Sequence, residues 1–155
     1  MRKFLAAFLC VLFPLTALAA ENAYKIAYDG GSIEGAKAGT AMHLVIQGSN
    51  IDLMKGSTQI ALIPADAVTE ISYGQDVHRR VGAAIGIGVF TLGVGALMAL
   101  TKSKKHFVGI TWDDHGKKGG CAFQADKKDY RGLLAGLEGI TGKKAVDTDA
   151  MNVKN

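Results

Sequence analysis

Cysteine is nearly absent. The chain holds two, Cys10 and Cys121, and Cys10 lies in an amino-terminal apolar run with the pattern of a removable leader. Cys121 then stands alone, so no intramolecular disulfide can staple the fold even in an oxidising compartment. Its setting, Gly120-Cys121-Ala122-Phe123, is strand-like and suits a buried, inert thiol; an intermolecular bridge is the alternative. Charge of one sign is scarce as well. The formal net charge is +4, and loss of Arg2 and Lys3 with the leader reduces it to +2. That balance is too small to hold a polyanion, so a nucleic-acid partner is not expected. Catalytic constellations are also missing. Of the four histidines, His43, His78, His106 and His115, none stands at metal-ligand spacing from another. Asp113-Asp114-His115 offers oxygen and nitrogen donors but has the composition of a solvated turn. No serine sits in a nucleophile elbow, and Cys121 has no histidine near it in sequence. Gly86-Ile87-Gly88 lacks the preceding strand and the downstream acid of a dinucleotide fingerprint. No catalytic residue, metal or cofactor is assigned, and an enzyme is not expected.

What is present begins with that leader. Met1-Arg2-Lys3 precedes an apolar run from Phe4 to Leu15, and Ala17-Leu18-Ala19-Ala20 precedes Glu21. A short cationic start, an apolar core too short to span a bilayer and a small-x-small exit describe a signal peptide over residues 1–20. A permanent amino-terminal anchor is the alternative. No small-residue lipobox precedes Cys10, so a lipoprotein is excluded. The remainder is expected to be exported, with a single domain over 21–145 and a loose polar tail over 146–155.

Strand signals fill the first half of that domain. Tyr24–Tyr28, Met42–Gln47, Asn50–Met54, Thr58–Ile63 and Val68–Tyr73 are short runs separated by Gly, Ser and Asn turns, the grammar of an antiparallel meander. Within the fourth run, Ile60 and Leu62 are expected on one face. Residues 106–125 resume the pattern as a hairpin with a long polar loop over Asp113–Gly119. A helix follows: Tyr130, Leu133, Leu134, Leu137 and Ile140 recur at the helical period, Asp126 suits the N-cap, and Gly142 suits the end. The expected fold class is α+β, mainly antiparallel β, with one carboxy-terminal amphipathic helix.

Residues 81–100 interrupt this pattern. They carry no charge, and Thr91 is their only polar side chain. As a helix they would rise about 30 Å, the thickness of a bilayer's hydrocarbon core, so a membrane-seeking transmembrane helix is expected. Gly82 with Gly86 and Ala84 with Gly88 place small residues one turn apart, and Gly93 and Gly95 extend the stripe. Such residues let helix backbones approach closely in lipid. Arg79, Arg80, Lys102, Lys104 and Lys105 flank the run as candidate contacts to anionic lipid. With strands on both sides, three topologies arise: a shallow re-entrant hairpin, a single span that splits the chain between compartments, or an element buried in a core or oligomer. The hairpin is favoured, because a single span would strand a two-stranded ribbon and one helix with too little core.

Tyr28-Asp29-Gly30-Gly31-Ser32, Leu44-Val45-Ile46, Ile51-Asp52-Leu53 and Ile63-Pro64-Ala65-Asp66-Ala67-Val68-Thr69-Glu70-Ile71 resemble pleckstrin-homology-like (PH-like) and GRAM-like bacterial domains. The chain also resembles small exported bacterial proteins through Ile71–Gln75, Arg79–Ala84 and Lys102–His106. The resemblance implies a β meander or partial barrel closed by a carboxy-terminal helix, and a binding or scaffolding role without chemistry. The apolar insertion departs from that family, and no basic strand–loop motif is present to carry over phosphoinositide-binding residues. The expectation is a glycine-rich, membrane-associated module at the periplasmic face of the inner membrane, docking on lipid or a membrane protein. The alternative is a structural membrane protein that self-assembles through the Gly/Ala segment into a homo-oligomer.

Overall fold

A computed structural model describes residues 22–86 and 106–152. Eight strands form one open sheet in the order β4-β3-β2-β1-β7-β6-β5-β8. They are β1 (Asn22–Gly31), β2 (Ala41–Gln47), β3 (Asn50–Lys55), β4 (Thr58–Pro64), β5 (Val68–Tyr73), β6 (His106–Asp114), β7 (Lys117–Ala125) and β8 (Val146–Asp147). Three helices accompany them: α1 (Val77–Ile85), α2 (Tyr130–Thr141) and the short α3 (Thr148–Asn152). Every pairing is antiparallel except β5 with β8. The fold is α+β.

The strands β1–β4 follow period-two chemistry. Met42, Leu44 and Ile46 of β2 and Ile51 and Leu53 of β3 point inward and are buried, while their neighbours are exposed or half-buried. The inner face continues through Ile26 and Tyr28 of β1 and receives Leu133 and Leu137 of α2. One register differs from the sequence expectation. A bulge between Leu53 and Met54 shifts the β3–β4 pairing so that Leu53 faces Ala61 and Ile51 faces Ile63. Ile63 is therefore the buried residue, and Leu62 points outward, 50% exposed.

The strands β6 and β7 are buried on both faces. Val108, Ile110, Cys121 and Phe123 join the main core. On the other side Phe107 and Ala122 form a second, smaller core with Val77 and Val81 of α1. Glycines admit that helix. A Cβ at Gly109 would lie 2.6 Å from Val77 Cγ1 and 2.7 Å from Val81 Cγ2, and one at Gly120 would lie 2.9 Å from Val81 Cγ1. On the inner side, the Trp112 indole covers Gly119 so closely that a side chain there has no room.

Several expectations need correction. The apolar run does not begin a helix at Val81. The helix starts at Val77 and stops at Ile85, with Gly86 in the left-handed conformation (φ 73°) as its cap. Among the described residues no helix is long and apolar enough to cross a membrane, so the expected transmembrane helix is withdrawn. The single-span topology fails for a second reason: β6 pairs with β5, and β7 with β1, so the chain on both sides of the run belongs to one sheet. The rest of the 81–100 insertion lies outside the described residues, as does the 1–20 leader. The β6–β7 connection is not a long loop. Its strands pair as far as Asp114 with Lys117, leaving a two-residue turn at His115-Gly116 with φ of 52° and 87°. The last helix begins at Tyr130, four residues after the expected cap; Asp126 instead closes a turn before it, its carboxylate accepting from the Lys128 amide. Finally, the stretch expected to be a loose tail adds β8 and α3 through Asn152.

Candidate functional site

Helix α1 and the edges of the gap it opens onto carry most of the unusual side chains. The helix lies across the outer face of β6 and β7. Val77 sits over Gly109, Val81 over Gly109 and Gly120, and Ile85 beside Gly120 and Thr111. Helix α1 thus ends with Ile85 over Gly120, and β6, which it covers, begins at His106.

Two polar contacts fasten the helix. Arg80 grips Glu70 of β5 with both arms of its guanidinium, Nε to Oε1 at 2.9 Å and Nη2 to Oε2 at 2.7 Å. The Glu70 bond holds the Arg80 cation more firmly, raising its pKa. His78 Nε2 lies 2.8 Å from Asp29 Oδ2, beside a bulge in β1, with the two side chains only 15% and 12% exposed. Phe107 meets the His78 ring edge-on at 5.0 Å.

A second cluster forms where the chain re-enters. The Tyr73 hydroxyl and His106 Nδ1 are 2.8 Å apart, and their rings are nearly parallel, 12° apart. Tyr130, the first residue of α2, stacks over both, 3.8 Å from His106 and 5.5 Å from Tyr73. The Arg131 guanidinium covers Tyr130 at 5.6 Å. Burial, with Lys127 and Arg131 nearby, disfavours the imidazolium and lowers the His106 pKa. Burial likewise raises the Tyr73 pKa, with Tyr130, Asp149 and Asp147 adding to it. The cluster clasps the end of β5, the start of β6 and the start of α2.

Several expected site residues fall on this helix. Arg79 is exposed, whereas Arg80 is engaged with Glu70. Gly82 is buried on the sheet side, Ala84 is exposed, and Gly86 is the cap. Gly88, Gly93, Gly95, Lys102, Lys104 and Lys105 lie outside the described residues. The structure therefore brings Arg79, Arg80, Gly82, Ala84 and Gly86 onto one short helix, with Gly82 turned to the sheet. Sequence reasoning missed the Asp29–His78 pair and the Tyr73–His106–Tyr130 stack. No spacing signals either, because each joins residues far apart in the chain.

The contacts around α1 and in the aromatic stack clamp together segments that are far apart in the chain. No three metal-ligating side chains converge among the described residues. The Cys121 thiol is buried in the main core, and that burial pushes its pKa up to about 12, which leaves it protonated and unreactive. Tyr28, buried beside it, is also pushed up to about 12 by burial and then by the nearby Cys121. No protein-family model matches the chain, and no curated protein matches it in sequence.

Proposed function

We propose that this chain is a non-enzymatic, exported module that docks on a membrane surface through the apolar stretch following α1. One observation carries the reading: the helix before that stretch packs on β6 and β7, and β6 itself follows it, so both flanks belong to a single module. An uncharged run returned to the same module presents itself to one face of a bilayer. The exposed Arg79 at one end and Lys102, Lys104 and Lys105 at the other supply cations for anionic headgroups, each worth about 1 kcal/mol near such a surface. The signal-peptide pattern of residues 1–20 places this at the periplasmic face of the inner membrane. The strand order β4 to β1, then β7 to β5, with α2 packed on the core, supports a PH-like reading and hence a docking role.

Co-flotation with vesicles tests this. The chain should float with vesicles rich in anionic phospholipid and much less with zwitterionic ones. Replacing Arg79, Lys102, Lys104 and Lys105 with Gln should weaken the anionic binding by at least about tenfold. Binding that ignores both lipid charge and these replacements would sink the proposal. Chemical cross-linking in detergent separates it from self-assembly, which would give a ladder of oligomers.

A further inference from the structure

The last described residues make a short strap with an unusual attachment. Val146 and Asp147 pair in parallel with Ser72 and Tyr73 at the edge of β5. Thr148, only 3% exposed, then turns inward. Its hydroxyl donates to the Tyr73 carbonyl at 3.1 Å and accepts from the Asp76 amide at 3.3 Å. Asp149 Oδ1 accepts from the Gln75 amide at 2.7 Å. These contacts surround Gly74, whose φ of +126° and lack of a side chain let the strap approach; a Cβ there would lie 2.7 Å from Asp149 Oδ1. The strap organises itself too, since Asp147 Oδ1 accepts from the amides of Asp149 and Ala150.

The place of attachment is the entrance of α1. Asp76, its N-cap, makes no capping bond with its own side chain. The strap delivers a hydroxyl and a carboxylate to the Asp76 and Gln75 amides, the two backbone groups that lead into the first turn, and so fixes the path by which the chain enters the helix. The attachment is almost wholly polar: Val146 is half-buried, and Asp147 and Asp149 are exposed. Segments held by few apolar contacts open at low free-energy cost.

We infer that residues 146–152 are a releasable strap that holds the entrance of α1, so that docking or release of this segment sets the order of the residues that lead into the helix. The helix is also held by Val77, His78 and Arg80 in its first turn and by Val81 in its middle, so it stays on the sheet when the strap lifts. Release therefore acts on the entrance. The inference stands on the described contacts alone and does not need the membrane reading.

Amide hydrogen exchange on the full chain in solution tests it. Thr148→Val keeps the shape and removes both hydroxyl bonds; Asp149→Ala removes the carboxylate that accepts from Gln75. In each variant the Gln75 and Asp76 amides should exchange faster, by roughly tenfold for the loss of one or two hydrogen bonds, while the β2 and β3 amides stay unchanged. Thr148→Ser, which restores the hydroxyl, should restore the protection. If 146–152 opens in the variants while Gln75 and Asp76 keep their wild-type protection, the two segments are not coupled and the inference falls. Uniform acceleration across β2 and β3 would overturn it as well, because the strap would then support the whole fold rather than the entrance of α1.

Discussion

The strands β1–β4 and the strands β5–β7 belong to one sheet but solve different problems. The first four bury one face and leave the other to solvent, with Lys25, His43 and Gln59 outward and Gln59 bonded to Asp52 across strands. The β6–β7 ribbon has no solvent face in its middle, because α1 lies on it. A side chain on the outer face of β2 meets water; a side chain at the same depth on β6 meets Val77 and Val81. Glycine is thus neutral filler in neither half. In β6 and β7 it is the space that the helix occupies.

Substitutions can break or sharpen that contrast. The largest effect should come from the shared inner face: Leu44→Ala on β2 and Leu133→Ala on the helix that packs on it, both fully buried, should each cost about 3 kcal/mol. Both should preserve a single unfolding transition by urea titration, since the inner core is common. Gly109→Val should cost about 2 kcal/mol or more, because the added methyls collide with Val77 and Val81. The matched change on the open half, His43→Val, should stay within about 0.5 kcal/mol. Equal effects of these two would dissolve the comparison. Arg80→Gln should cost about 1 kcal/mol or less, since the Glu70 pair is about one-third exposed and partly screened. Acid should act through the aromatic stack. The His106 pKa lies below its ordinary 6.5 in the folded chain, so the unfolded chain takes up the proton first as pH falls. The stability from neutral His106 is complete above about 6.5 and declines below it, down to the folded pKa. In His106→Phe, that share of the acid decline in the urea midpoint should vanish.

The two halves also differ in how much the sequence reveals. Met42, Leu44 and Ile46, then Ile51 and Leu53, alternate with polar partners, so the first hairpins are visible from pattern alone. Leu62 is misjudged only because the bulge at Leu53 and Met54 leaves no mark in the residue types. The β6–β7 ribbon is recognisable as a hairpin, but its double burial is not. Gly119 reads as part of the turn and Gly109 and Gly120 as strand positions, and nothing local states that a helix lies over the latter two. Helix α1 is hidden for a related reason: Val77 and Val81 complete its buried face, while the apolar run starting at Val81 draws the eye downstream. The site is less legible than the fold. Asp29 finds His78, and Tyr73 finds His106 and Tyr130, only once the sheet has brought distant segments together. Thr148 and Asp149 sit in a polar stretch whose composition alone suggests a free end.

The bare backbone of Gly119 beneath Trp112 has an optical consequence. The chain has one tryptophan, and it rests on the ribbon that α1 covers from behind. Indole emission therefore reports on that ribbon, whereas far-ultraviolet dichroism averages over the whole sheet. Melted together, the two signals ask the molecule whether its halves let go at the same moment, with no label attached and no residue replaced.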